Sequence, residues 1–248
     1  PPATCLPGRC GRLGDITMLT TVPHRFPTTH GWKWGETPIE RIGVAWPLVG
    51  LDGLVLTADL QGSTEGDRPL PLAVLDELAL LAELGEIPPL ERMGVLFAGD
   101  LFCGDKRSAA GDVTPIWQAF AGAFKVVAGV AGNHDRFLAP PPGHLLDGDA
   151  VAIGGLRVAG LGGIVGRPEK PQRRSEDEYC RVLRTMLRRG CDILLLHEPP
   201  QAGDELGNLA VRAVMEAAKP AGLGVVVCGH AHWHDWRRHV GDFDVMNV

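Results

Sequence analysis

The sequence predicts an α/β protein whose buried strands alternate with amphipathic helices and present polar side chains at a shared edge. Short apolar runs recur along the chain with helix-like stretches between them. Five of these runs end in an acid, amide or imidazole: Asp59 after LVLTA, Asp100 after VLFAG, Asn133-His134-Asp135 after VVAGVAG, His197 after ILLL, and His230 and His232 after VVVCG. Open α/β sheets bind ligands beyond the carboxyl ends of their strands, so five deliveries of metal-binding residue types point to one polynuclear metal site.

The elements follow in order. Residues 1–40 are rich in Pro and Gly, weakly periodic, and carry His24, His30, Trp32 and Trp34. They read as an irregular arm, packed through its tryptophans on a domain spanning residues 41–248. Strands are expected at 44–49, 54–58, 95–98, 126–130, 193–196 and 224–228. Helices are expected at 71–84, 115–124 and 209–218. Residues 150–161 read as a hairpin about Gly154-Gly155. Ser175-Glu176-Asp177-Glu178 forms a capping box before a helix with Tyr179, Val182, Leu183, Met186 and Leu187 on one face. The last segment, with Trp236, Val240, Phe243 and Val245, closes as a second hairpin. Alternating helices and strands followed by a strand-rich tail imply two packed sheets flanked by helices.

A chain of 248 residues can bury a substantial core, and 45% apolar with 22% charged residues is the balance of a globular protein. The net charge is 24 − 30 = −6 and no run of Lys or Arg exceeds two, which argues against a long polyanion such as duplex DNA as the main partner. It leaves room for a small phosphorylated substrate, whose charge a metal pair neutralises locally. No apolar stretch approaches ~20 residues, so no membrane span is expected. The amino terminus lacks the basic-then-apolar layout of a secretory signal. Six scattered cysteines form no Cys-x-x-Cys pair, and Cys5 and Cys10 could bridge or remain thiols. A reducing cytoplasm is the expected compartment. Nothing in the residues specifies an oligomeric state.

Asp59-Leu60-Gln61, Gly99-Asp100, Gly132-Asn133-His134-Asp135, His197 and Gly229-His230-Ala231-His232, in that order, resemble the motif series of the calcineurin-like metallophosphoesterases over roughly residues 54–248. The resemblance implies a four-layer α/β-β/α sandwich of two mixed sheets flanked by helices. It also implies two divalent metal ions, with Mn the expectation and Mg, Fe or Zn the alternatives. Asp100 would bridge the ions, since a carboxylate can span two cations. Asp59 and His232 would join it on the first ion, and Asn133, His197 and His230 on the second. One position departs: the family has His where this chain has Gln61. An amide oxygen binds hard cations but is a poorer ligand than imidazole for zinc-like metals. The first ion is then weakly held, replaced by Mg or Mn, or absent, unless His24 or His30 fills the place; Cys103 could also approach a metal, or pack as a small residue.

His134 is left free to face substrate, with Asp135 holding an imidazole in orientation. Arg136 leads the candidates for a phosphate clamp, ahead of Lys106, Arg107, Arg167, Arg173 and Arg174. His234 contacts phosphate or solvent. The implied activity is metal-dependent phosphoester hydrolysis, by attack of metal-activated water with His134 as proton donor. A phosphodiesterase or nuclease is the variant within that class, for which the Trp233/Trp236/Arg237/Arg238 segment is the one hint of polynucleotide binding. A non-catalytic scaffold that keeps the fold to bind a partner is the reading from another class.

Overall fold

A computed structural model describes residues 13–106 and 109–248; Cys5, Cys10 and Arg107 lie outside them. The expected irregular arm is instead a long ribbon. Strands β1 (Leu13–Thr28) and β2 (Gly31–Val44) pair antiparallel from Leu13↔Val44 to Thr28↔Gly31. Its prolines mask this pattern in the sequence. In a two-stranded ribbon every strand has an open edge, where a missing N–H is tolerated. Trp32 and Trp34 do not join the domain core: they are 43% and 63% exposed, with Trp32 lying against Arg25 of β1, and the ribbon touches the domain through buried Val22 and His24. The strand expected at 44–49 does not form. Pro47 cannot donate to a ladder, and the Val49 amide donates to Gly154 O across a loop.

The first half of the domain runs β3 (Gly53–Thr57), α1 (Leu70–Glu83), β4 (Met93–Phe97), the short β5 (Gly111–Asp112), α2 (Thr114–Ala123), β6 (Val126–Gly129), then the short β7 (Asp135–Arg136) and β8 (His144–Leu145). Its four-stranded sheet, in the order β3-β4-β6-β8, is parallel throughout rather than mixed. The second half runs β9 (Asp149–Ile153), β10 (Leu156–Leu161), the short β11 (Ile164–Val165) and β12 (Arg173–Arg174), α3 (Glu176–Arg189), β13 (Ile193–Leu196), α4 (Leu209–Glu216), β14 (Val225–Cys228), β15 (Arg237–Val240) and β16 (Phe243–Asn247). Its six-stranded sheet, in the order β15-β16-β14-β13-β10-β9, is mixed, with antiparallel edge strands.

Local chemistry sets the boundaries. Gly154 and Gly155 both have positive φ, 57° and 83°, as a two-residue hairpin turn with matching twist requires. Ser175 Oγ accepts from the Glu178 amide, and Asn208 Oδ1 accepts from Ala210 and Val211, so both later helices begin on a side-chain cap.

Strand periodicity builds the layers. Val95 and Phe97 face α1 and α2, packing with Val74, Leu78, Trp117 and Phe120. The intervening Leu96 faces the other sheet, where it joins Ala128, Val158, Leu195 and Val227. Leu194, Leu196 and Val226 turn outward onto Tyr179, Leu183, Val211 and Met215 of α3 and α4. The result is helix, sheet, sheet, helix: the expected α/β sandwich. Among the described residues no helix is long and apolar enough to cross a membrane.

Candidate metal centre

The motif residues sit just past the ends of β3, β4, β6, β13 and β14. Three of them, Asp59, Asp100 and His230, hold φ of 51°, 58° and 66°. Non-glycine residues rarely take such angles, and clusters of them mark functional turns. The turns are packed backbone to backbone. Asp59 N donates to Gly99 O at 2.9 Å, and a Cβ on Gly132 would overlap Asp100 Oδ1. Gly132→Ala is therefore expected to push Asp100 out of place and cut turnover on the order of 10²-fold, read as kcat/KM in a protein whose circular dichroism is unchanged.

His197 is fully buried, and its Nδ1–H donates to Ala98 O at 2.8 Å. That bond leaves Nε2 facing the centre, a donor when protonated and a ligand when not. Nε2 lies 3.2 Å from Asp100 Oδ2 and 3.2 Å from Asn133 Oδ1. His230 completes the group: the ligand atoms of Asp100, His197 and His230 all lie within 4.8 Å of one another. An imidazole nitrogen, a carboxylate oxygen and an amide oxygen converge here in a buried pocket, held together by a proton on Nε2 or by a metal cation in its place. The donor set fits a divalent metal.

The electrostatics point the same way. Burial opposes a charge on His197, yet the Asp100 and Asp59 carboxylates push its pKa up to about 10. Burial would raise Asp100, but the neighbouring His197 holds it below the ordinary value. Burial, with His197 alongside, drives His230 down to about 4, which keeps its lone pair available at neutral pH. Burial, reinforced by Asp100 against the opposing His197, raises Asp59 to about 7. These shifts describe anionic and imidazole groups crowded beyond what they tolerate without added positive charge.

The remaining motif residues divide. Asp59 Oδ2 accepts from the His230 amide at 2.6 Å, and Gln61 Nε2 donates to Asp100 Oδ2 at 3.0 Å. His134 lies beside the group as expected, with Nε2 3.9 Å from Asp100 Oδ2 and its amide on Asp100 Oδ1. Its orientation does not come from Asp135. The Ala109 carbonyl accepts from His134 Nδ1 at 2.6 Å. Asp135 touches no imidazole: it is buried and accepts from the amides of Asp100, Leu101, Phe102 and Gly132, tying two loops together. The role expected for it in orienting an imidazole is thereby corrected, because a carboxylate holding four backbone donors is fully engaged. His232 is exposed and stands outside the clustered ligands, as do His24, His30 and Cys103. His234 offers its amide to Glu205 Oε2.

A family model for the calcineurin-like phosphoesterases matches residues 54–234. The chain belongs to that family. Metal-dependent phosphoester hydrolysis is the general activity this membership carries, and divalent metal ions are its implied cofactors. No curated protein matches the sequence. One solved structure, 10% identical, aligns over 78% of this chain and 89% of its own with a TM-score of 0.50, which supports the fold alone. A protein of unknown function from Aquifex aeolicus aligns over 79% of this chain and 89% of its own at 16% identity, with a TM-score of 0.36. That score carries no argument.

In this calcineurin-like phosphoesterase the clustered ligands open onto a cleft of about 770 Å³. Asn133, His134 and His230 line it together with the cationic Lys106, Arg136, Lys170 and Arg173. Arg136 is the expected clamp, yet its Nη1 already donates to Asp135 O at 2.6 Å. Lys170, Thr28 and Thr29 have no signal in the sequence. They reach the wall because the β11–β12 loop and the ribbon tip fold over it.

Proposed function

We propose that the chain hydrolyses a small phosphorylated substrate in this cleft. The reading is carried by the convergence of Asp100 Oδ2, Asn133 Oδ1 and His197 Nε2, with His230 joining them and His134 alongside. A divalent metal held there, Mn in the first instance, would supply charge neutralisation and acidify water. His134 is the proton donor to the leaving oxygen. The Ala109 carbonyl holds Nδ1–H and so aims Nε2 at the site. Lys106, Lys170 and Arg173 attract the substrate's negative charge, and Arg136 lies nearest the Asn133-His134 loop in sequence.

A nucleic-acid phosphodiester is the second reading. Exposed Trp32 and Trp34 favour it, as they stand on the ribbon that brings Thr28 and Thr29 to the cleft wall. The test uses chelator-treated protein with and without Mn²⁺, assayed on p-nitrophenyl phosphate, bis(p-nitrophenyl) phosphate and a single-stranded oligonucleotide. Mn²⁺-dependent release of nitrophenol from the monoester is the expected result. Cleavage of the diester and oligonucleotide alone would favour the second reading, and no metal-stimulated hydrolysis of any of the three would reject both.

A further inference from the structure

We propose that this centre holds a single divalent cation, bound by Asp100, Asn133, His197 and His230, because Gln61 occupies the carboxylate oxygen through which a second ion would be bridged. The inference rests on the function proposed above and specifies the metal content of the same site.

Among the described residues, one group of three or more His, Cys, Asp or Glu side chains is close enough to share an ion, and it consists of Asp100, His197 and His230. Asp59, which a second ion would need, is not in it. Asp100 Oδ2 faces two partners. One is His197 Nε2 at 3.2 Å, an imidazole nitrogen able to ligate a cation. The other is Gln61 Nε2 at 3.0 Å, which cannot. An amide nitrogen has no lone pair to give a metal, and its N–H presents the positive end of a dipole to the carboxylate. It satisfies that oxygen as a neutral donor where an imidazole would offer a ligand. Admitting an ion requires the amide to rotate, breaking this bond to present a neutral oxygen, the poorer ligand where the ion is zinc-like. Asp59 Oδ2 already accepts from the His230 amide at 2.6 Å.

The segment carrying Gln61 is also held in place. Arg25 in β1 and Ser63 exchange backbone hydrogen bonds of 2.8 and 2.9 Å, so the ribbon closes over Gln61-Gly62-Ser63. Between them, a Cβ on Gly62 would come within 2.8 Å of both Arg25 O and His24 Cδ2. Gly62 is thus packed directly against β1, which holds the backbone beside Gln61 in place.

The experiment counts metal rather than turnover. Chelator-treated protein is equilibrated with excess Mn²⁺ by dialysis, bound metal per chain is measured by plasma emission, and the low-temperature electron paramagnetic resonance spectrum is recorded. The expected result is one Mn²⁺ per chain with the six-line spectrum of an isolated ion, rising to two with an exchange-coupled spectrum in Gln61→His. Two coupled ions on the unaltered chain would overturn the single-cation inference while leaving the proposed hydrolysis standing. No bound ion would overturn both. A folded Gln61→His that still binds one ion would overturn the assignment to Gln61. One ion with no turnover of any ester supports this inference and rejects the proposed function. The count and spectrum of the unaltered chain decide the cation number even if the variant does not fold.

Discussion

His197→Ala is expected to abolish both cation binding and turnover, the largest effect of any single substitution at the centre. The imidazole is fully buried, is anchored by Ala98 O, and places Nε2 against Asp100 Oδ2 and Asn133 Oδ1 together. Its removal leaves the Asp100 carboxylate buried beside a void, with only neutral donors for compensation. Breaking a buried ionic pair by deleting one partner costs about 3–5 kcal/mol. At roughly 2–4 °C per kcal/mol for a chain of this size, the metal-free variant should melt about 6–20 °C lower. Calorimetric Mn²⁺ titration and a thermal melt read the two consequences separately. A variant that keeps its cation and its turnover would remove His197 from the centre.

His134→Ala should behave differently: turnover falls by ~10²–10⁴-fold while bound metal is unchanged. The ring lies beside Asp100 but outside the ligand group, and its Nδ1 is committed to Ala109 O. A proton donor matters most when the leaving oxygen is basic. The variant should therefore lose far more activity on an alkyl phosphate than on p-nitrophenyl phosphate, whose leaving group departs without help. Equal losses on both esters would assign His134 to substrate positioning. Unchanged turnover would leave it no part in the chemistry.

The fold was legible wherever local pattern and burial agree. The run at 193–196 is a strand with those bounds, and the Gly154-Gly155 turn and the Ser175 cap lie where their chemistry requires. Legibility failed where a residue's local preference was overruled by its neighbours. The prolines of β1 and β2 read as breakers but are tolerated on open ribbon edges. At 44–49 the apolar composition read as a strand, while Pro47 and the bond from Val49 to Gly154 hold a loop. Asp135 has the right type and place for an orienting carboxylate, and only the packing of two loops turns it onto four amides.

By itself the sequence determined that this chain is an α/β protein with acid, amide and imidazole residues at five strand ends, in an order that resembles one family. Those features are written in composition and short-range periodicity. The tertiary structure decided which lone pair faces which donor: His197 against Ala98 across 99 residues, Gln61 against Asp100 across 39, and the ribbon over Gly62. Hydrogen bonds and cation sites depend on distances of a few tenths of an ångström and on direction. No local pattern encodes such distances between residues so far apart; they are set when the two sheets pack and bring the strand ends together.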